Sequence, residues 1–144
     1  MAGSQSAAPK GVKPSKVRKH FTLAQANKTL PLVKRVVNDI VKTHSQVSAL
    51  HGQLEETTGA QQQQKIQEEL EREVDRLHEY VDELMTIGCD LKDYQTGLVD
   101  FIGRHKGRDV CLCWKLGEEK VEYWHEVQTG FAGRQPVATL EESA

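Results

Sequence analysis

Hydrophobic residues recur every three or four positions along two long segments in the first two thirds of the chain. The first segment carries Val33, Val36, Val37, Ile40, Val41, Val47, Leu50 and Leu54. The second carries Ile66, Leu70, Val74, Leu77, Val81, Leu84 and Ile87. This spacing places each set on one face of an α-helix. Because a short polar turn around Gly59 joins the segments, the pattern predicts an antiparallel helical hairpin of the coiled-coil kind.

Capping and breaking signals predict where the helices begin and end. Thr22 and Gln25 have the spacing of a capping box, which marks a helix start. Pro31 disfavours helical geometry in the residue before it but suits the first turn of a new helix. Gly59 and Gly88 are placed to end the two long segments. The predicted helices cover residues 23–29, 31–57 and 61–88.

After Gly88 the hydrophobic pattern changes to an alternation of period two, which is typical of β-strands. Glycine-containing turns separate three such segments. The predicted strands cover residues 98–102, 109–116 and 121–127. The chain is therefore predicted to be a single α+β domain over residues 20–137, in which a long antiparallel helical hairpin is followed by a small three-stranded antiparallel β-meander.

Charge is unevenly distributed along the chain. Residues 1–50 carry nine lysines and arginines against one acid, whereas residues 51–93 carry four against twelve. Packing of these segments against each other would cancel most of this charge, so we do not expect a nucleic-acid partner from charge alone. Residues 1–19 are small, polar and basic, which predicts a disordered basic tail, and residues 138–144 are expected to be frayed.

The cysteine content and the hydropathy of the chain indicate which cellular compartment to expect. The 144-residue chain has three cysteines, an odd number, and two of them lie one residue apart, which does not resemble a disulfide framework. No window approaches the apolar length of a membrane span, and the N-terminus has no hydrophobic run for secretion. We therefore expect a cytoplasmic protein with reduced thiols, no membrane partner and no cofactor.

The residues that could bind a ligand or take part in catalysis are concentrated in the stretch 113–136. This stretch contains Trp114, Trp124, His125 and a glycine-framed Arg134. Large aromatic side chains beside a histidine and a cation are typical of a ligand-binding or catalytic face, and equally of the packing of a small sheet. Arg134, Trp124 and Trp114 are therefore candidate ligand-binding residues, and an arginine in a glycine-rich loop favours an anionic ligand.

The pairing of the last two predicted strands decides which of these residues meet. A tight β-hairpin turn at residues 117–120 pairs Trp114 with Tyr123 and Leu112 with His125. The face that contains these four residues is almost wholly apolar. We therefore predict that His125 lies on the core face of the sheet.

This predicted pairing separates the candidate zinc ligands. Cysteine and histidine are common zinc ligands, but Cys111 and Cys113 share the opposite face with Trp124. The two cysteines meet His125 only if the register slips by one residue. We therefore predict no metal site, and we interpret the cysteines as small half-buried strand residues.

Asp100 is the nearest plausible acidic partner for His125, and its direction depends on the loop after its strand. A four-residue loop turns Asp100 to the face of the cysteines, whereas a five-residue loop turns it inward to His125. The second case would form a carboxylate–histidine pair, so Asp100 and His125 are the catalytic candidates. No serine or cysteine nucleophile shares that predicted face, so a hydrolytic triad is not favoured.

Several motifs carry a resemblance to a known family. They are Phe21-Thr22-Leu23, Ala26-Asn27, Leu30-Pro31, Leu91-Lys92-Asp93, Gly97-Leu98-Val99-Asp100-Phe101, and the segments 113–118, 123–126 and 130–136. Over residues 20–137 the chain resembles an uncharacterised bacterial family, the domain of unknown function 2203. The resemblance implies a helical hairpin followed by β-structure, and it implies no activity.

Two classes of function follow from these patterns. Two long apolar stripes with few other elements to cover them favour a non-enzymatic interaction module, which binds a protein partner or forms a homodimer through the helical hairpin. The alternative is an anion-binding protein or enzyme with a site around Asp100, Trp124, His125 and Arg134. A weaker alternative is salt-sensitive nucleic-acid contact by the basic N-terminal tail.

Overall fold

Two long helices form an antiparallel hairpin, and a five-stranded antiparallel sheet follows them. The computed structural model describes residues 19–142, so the predicted basic tail lies almost entirely outside the described residues. The helices are α1 (Leu23–Glu56) and α2 (Ala60–Ile87). The strands, in their order across the sheet, are β1 (Cys89–Asp93), β2 (Leu98–His105), β3 (Arg108–Lys115), β4 (Tyr123–Glu126) and β5 (Gln135–Pro136).

Helix α1 runs continuously through Pro31, so the prediction of separate helices over 23–29 and 31–57 is wrong. Ala26, Leu30 and Val33 are buried on one face on both sides of the proline. A proline inside a helix removes one hydrogen bond and costs roughly 3 kcal/mol. Burial of a continuous apolar face against the rest of the domain outweighs that local cost.

The predicted three-stranded meander forms the centre of a five-stranded sheet. The edge strands β1 and β5 were not predicted. Strand β1 begins directly after Gly88, whose left-handed φ of 116° ends α2. Its sequence Cys-Asp-Leu-Lys-Asp has only two apolar residues, and β5 is only two residues long. Edge strands of this kind give a weak hydrophobic signal because one side chain in two faces solvent. The α+β class itself is confirmed.

The turn between β2 and β3 decides the direction of Asp100. It consists of Lys106 and Gly107, which both have positive φ, as a two-residue hairpin turn requires. Loops of two and of four residues both contain an even number of residues, so they place the side chains of β2 on the same faces of the sheet. Val99 and Phe101 therefore face the helices, and Asp100 lies on the outer face opposite Cys113.

The main core lies between the helical hairpin and one face of the sheet. Its sheet members include Val99, Phe101, Leu112, Trp114 and Trp124. The distal half of the hairpin has a separate small cluster of Leu50, Ile66 and Leu70. Within the part of the chain that the structure describes, neither helix is long and apolar enough to cross a membrane.

The end of the described chain is attached to the domain, contrary to the expected fraying from residue 138. Residues Val137–Thr139 form a 3-10 turn. The backbone amide of Glu141 donates to His105 Nδ1, and the Glu141 carbonyl accepts from the amide of Lys106. Glu142 accepts from the amide of Leu23 at the start of α1. These bonds tie the C-terminal segment to the β2–β3 turn and to α1.

Gly97 lets the β1–β2 turn approach α1 closely. An added Cβ would lie 2.8 Å from Val37 Cγ1 and 2.9 Å from Leu116 Cβ, at a φ of +73°. We expect Gly97→Ala to lower the free energy of unfolding by about 2–4 kcal/mol, from backbone strain and overpacking together. Urea denaturation of the purified protein measures this loss.

Gly117→Ala is the matched control for this prediction. Gly117 also has a positive φ, of +106°, but among residues 19–142 no atom other than those of Gly117 and its two chain neighbours lies within 4 Å of its added Cβ. We expect only the strain cost of about 1–2 kcal/mol in this variant. Equal losses in the two variants would contradict the close approach at Gly97.

Candidate functional site

The observed pairing of β3 with β4 differs by one residue from the predicted pairing. Cys111 lies opposite His125, Leu112 opposite Trp124 and Cys113 opposite Tyr123. A shift of one residue moves every side chain of a strand to the other face. The predicted faces are therefore correct for β3 but wrong for Tyr123, Trp124 and His125.

The loop before β4 sets this pairing. It is not a tight turn, because Val121 is buried in the core and its backbone amide donates to the Asn27 side chain of α1 at 2.7 Å. Trp114 Nε1 donates to the Glu118 carbonyl at 2.9 Å, and the Glu118 carboxylate accepts from the amide of Lys115. These contacts fold residues 116–122 against α1, so β4 begins only at Tyr123.

Both tryptophans lie in the core rather than at a ligand site. Trp114 is fully buried, as predicted for the core face. Trp124 was predicted to face the cysteines but is also buried in the core. Its Nε1 donates to Thr139 Oγ1 at 2.9 Å, and its ring lies 4.4 Å from the His105 ring. Their indole N–H groups are satisfied within the chain.

The shifted pairing brings Asp100, Cys113 and His125 together on the outer face of the sheet. Their metal-ligating atoms lie within 4.8 Å of one another, and all three residues are buried. Asp100 Oδ1 lies 3.2 Å from His125 Nε2. The geometric argument against a metal site therefore does not hold, and the carboxylate–histidine pair forms on the face of the cysteines.

The hydrogen bonding of His125 defines the chemistry of this pair. His125 Nδ1 lies 2.7 Å from the Glu126 backbone carbonyl, which can only accept, so Nδ1 carries a proton. In a neutral imidazole Nε2 then presents its lone pair to Asp100. Two lone-pair atoms that face each other at this distance need a proton or a metal ion between them. A histidine whose second nitrogen is fixed by a backbone carbonyl is the usual arrangement of a metal ligand.

The two cysteines of this face are not suited to nucleophilic catalysis. Burial and the nearby Asp100 carboxylate raise the pKa of the Cys111 thiol and of the Cys113 thiol to about 12. The thiolate is the reactive form. The cysteines share a face with Asp100, which was one of the two cases considered, and with His125, contrary to the prediction. Both thiols nevertheless carry protons at neutral pH. A cysteine hydrolase triad is therefore not favoured.

Arg134 was the candidate for anion binding, but its charge is already paired. Its Nη1 and Nη2 donate to the two carboxylate oxygens of Glu118 at 2.8 and 2.7 Å. Its guanidinium carbon lies 4.2 Å from the centre of the Tyr123 ring and 4.6 Å from that of Phe131. Arg134 thus connects the Phe131–Gly133 turn to the loop before β4.

Glu118 is a residue that the sequence analysis did not single out. The sequence shows a lone cation among several acids, which predicts that Arg134 has a carboxylate partner, but spacing alone does not choose among Glu118, Glu119, Glu122 and Glu126. The bidentate geometry and the bond from Lys115 identify Glu118 as the partner.

We expect Glu118→Gln to lower the free energy of unfolding at pH 7 by about 1–3 kcal/mol, because a partly buried charged hydrogen bond is lost. Burial opposes ionisation of Glu118, but bonds from Arg134 and Lys115 prevail and lower its pKa from 4.5. The ion pair therefore stabilises the fold above about pH 4.5 and is lost as pH falls through the lowered pKa. Unfolding measured from pH 7 to pH 3 should be less acid-sensitive in the variant.

Glu126→Gln provides the control, since Glu126 pairs with Arg108 at the surface. Surface pairs contribute little, so we expect a smaller loss of stability than in Glu118→Gln. Equal losses in the two variants would contradict a special role of the Arg134 pair.

The fold and the site together define a small α+β domain with a buried Asp–Cys–His cluster on the outer face of its sheet. The chain belongs to the family described as an uncharacterized conserved protein, DUF2203, which it matches over residues 19–137. No curated protein and no solved structure matches the chain.

Proposed function

We propose that this protein is a non-enzymatic metal-binding domain that holds a zinc-like transition-metal ion at Asp100, Cys113 and His125. The observation that supports this best is the contact of His125 Nε2 with Asp100 Oδ1 at 3.2 Å while Nδ1 is bonded to a backbone carbonyl. Carboxylate, thiolate and imidazole together favour zinc over magnesium or calcium.

The environment of the cluster supports binding rather than catalysis. The cluster is buried, with Asp100 3%, Cys113 0% and His125 2% exposed. A catalytic metal needs a position open to substrate. The Cys113 thiol must also lose its proton to solvent as the sulfur–metal bond forms. We propose a cytoplasmic setting, because the three cysteines are free thiols and thiols persist in a reducing compartment.

We expect the reduced full-length protein to bind one Zn²⁺ per chain in isothermal titration calorimetry. Asp100→Asn and Cys113→Ala should each weaken the affinity by more than about 100-fold, since loss of a ligand exceeds the loss of an outer-shell partner. Zn²⁺ should also raise the melting temperature of the wild type but not that of the variants.

Cys89→Ala is the matched control for this measurement. Cys89 is also a buried free thiol, but it lies in the core on the opposite side of the sheet. It should bind Zn²⁺ like the wild type. Absence of Zn²⁺ binding by the wild type, both in titration and in metal analysis of protein purified without chelator, would overturn the proposal.

We propose as a second candidate that the helical hairpin forms a homodimer. The buried apolar residues of α1 and α2 pack against each other and against the sheet. A dimer contact would therefore use residues on the exposed faces of the two helices. Leu32 and Met85 support it, because these large hydrophobic side chains of the hairpin are 39% and 41% exposed. Methionine is enriched in protein–protein interfaces relative to the rest of the protein surface.

We expect analytical ultracentrifugation to show a dimer at micromolar concentration. Leu32→Glu and Met85→Glu should raise the dissociation constant at least about tenfold. Val127→Glu is the control, since Val127 is 56% exposed and lies outside the hairpin. A strictly monomeric wild type would contradict self-association, and equal effects of all three variants would contradict the hairpin as its site.

A further inference from the structure

We infer that Cys111 is the fourth ligand of the same site, so that Asp100, Cys111, Cys113 and His125 enclose one zinc-like ion in a closed tetrahedral centre. This inference rests on the metal-binding function proposed above. It assigns a specific role to a cysteine that does not belong to the three-residue cluster.

The cross-strand pairing places Cys111 beside the metal position. Asp100 on β2 lies opposite Cys113, and His125 on β4 lies opposite Cys111. The contact between Asp100 and His125 therefore passes diagonally over β3, between the two cysteines. Side chains of directly opposed residues have Cβ atoms about 5 Å apart. On β3, the residue nearest to Asp100 is thus Cys113, and the residue nearest to His125 is Cys111.

The burial of both cysteines on one face of β3 supports this placement. The Cys113 sulfur lies within 4.8 Å of the ligand atoms of Asp100 and His125, and Cys111 lies two residues before Cys113 on the same face of β3. Cys111 is 6% exposed and Cys113 is fully buried, so neither sulfur is directed into solvent.

The charge of a closed centre would be small. Two thiolates, one carboxylate and one divalent ion leave a net charge of −1. Arg134 lies beside the site, because its Nη2 donates to the Cys113 backbone carbonyl at 3.4 Å as well as to Glu118. As the ion binds, the two thiol protons and the proton that lies between His125 Nε2 and Asp100 Oδ1 in the absence of metal pass to solvent, and no oxidant or reductant is needed. Four protein ligands leave no open position, as in structural zinc sites.

Co²⁺ titration followed by absorption spectroscopy tests the inference. The wild type should show the visible bands of tetrahedral Co²⁺ and a near-ultraviolet thiolate-to-cobalt band. Cys111→Ala should still bind Co²⁺ but show about half of the near-ultraviolet intensity, because one of two thiolates is lost. Cys89→Ala should give the wild-type spectrum.

X-ray absorption of the Zn²⁺-loaded wild type gives a second readout that needs no variant. It should show two sulfur neighbours at about 2.3 Å. One sulfur neighbour, or a Cys111→Ala spectrum equal to that of the wild type, would overturn the role of Cys111 while leaving the three-ligand site in place. Absence of Co²⁺ and Zn²⁺ binding by the wild type would instead overturn the proposed function itself.

Discussion

The loop between β3 and β4 is held against α1, and this constraint decides what both faces of the sheet contain. The amide of Val121 is bonded to Asn27, and Glu118 receives bonds from Lys115 and Arg134. A loop docked in this way is too long to act as a tight turn, so β4 enters the sheet one residue away from the tight-turn pairing. Because side chains alternate along a strand, that displacement inverts all of β4. Trp124 joins the core, and His125 joins Asp100 and the cysteines.

The outer face of the sheet is unusual because its central residues are both polar and buried. Buried polar groups destabilise a fold unless they find partners. Here His125 Nδ1 donates to the Glu126 carbonyl, and His125 Nε2 lies 3.2 Å from Asp100 Oδ1, where a proton or a metal ion completes the contact. Arg134 and Glu118 form a second paired group beside them. The face is therefore built around polar interactions, whereas the opposite face is a conventional apolar core.

A metal ion and a catalytic dyad make different demands on the same residues, and the environment distinguishes them. Catalysis requires access for a substrate and a reactive group with a suitable pKa. The thiols are buried with a raised pKa, and the nearest cation is already paired with a carboxylate. Metal binding requires only that the donor atoms converge and can release their protons. This is why the geometry supports a closed binding site better than an enzyme.

Hydrophobic periodicity in the sequence was enough to determine the α+β class, the helical hairpin and the positions of β2 and β3, because burial of an apolar face is encoded residue by residue. It also determined that Leu112 and Trp114 face the core, whereas the direction of Val99 depended on the length of the turn after β2. Continuity of α1 through Pro31 and the pairing of β4 were decided by tertiary structure, since each depends on contacts between residues far apart in the chain. Asn27 and Val121 are separated by 94 positions, and no local pattern reports their bond. The residues of the candidate site could therefore be named from the sequence, but whether they meet was decided only by the fold.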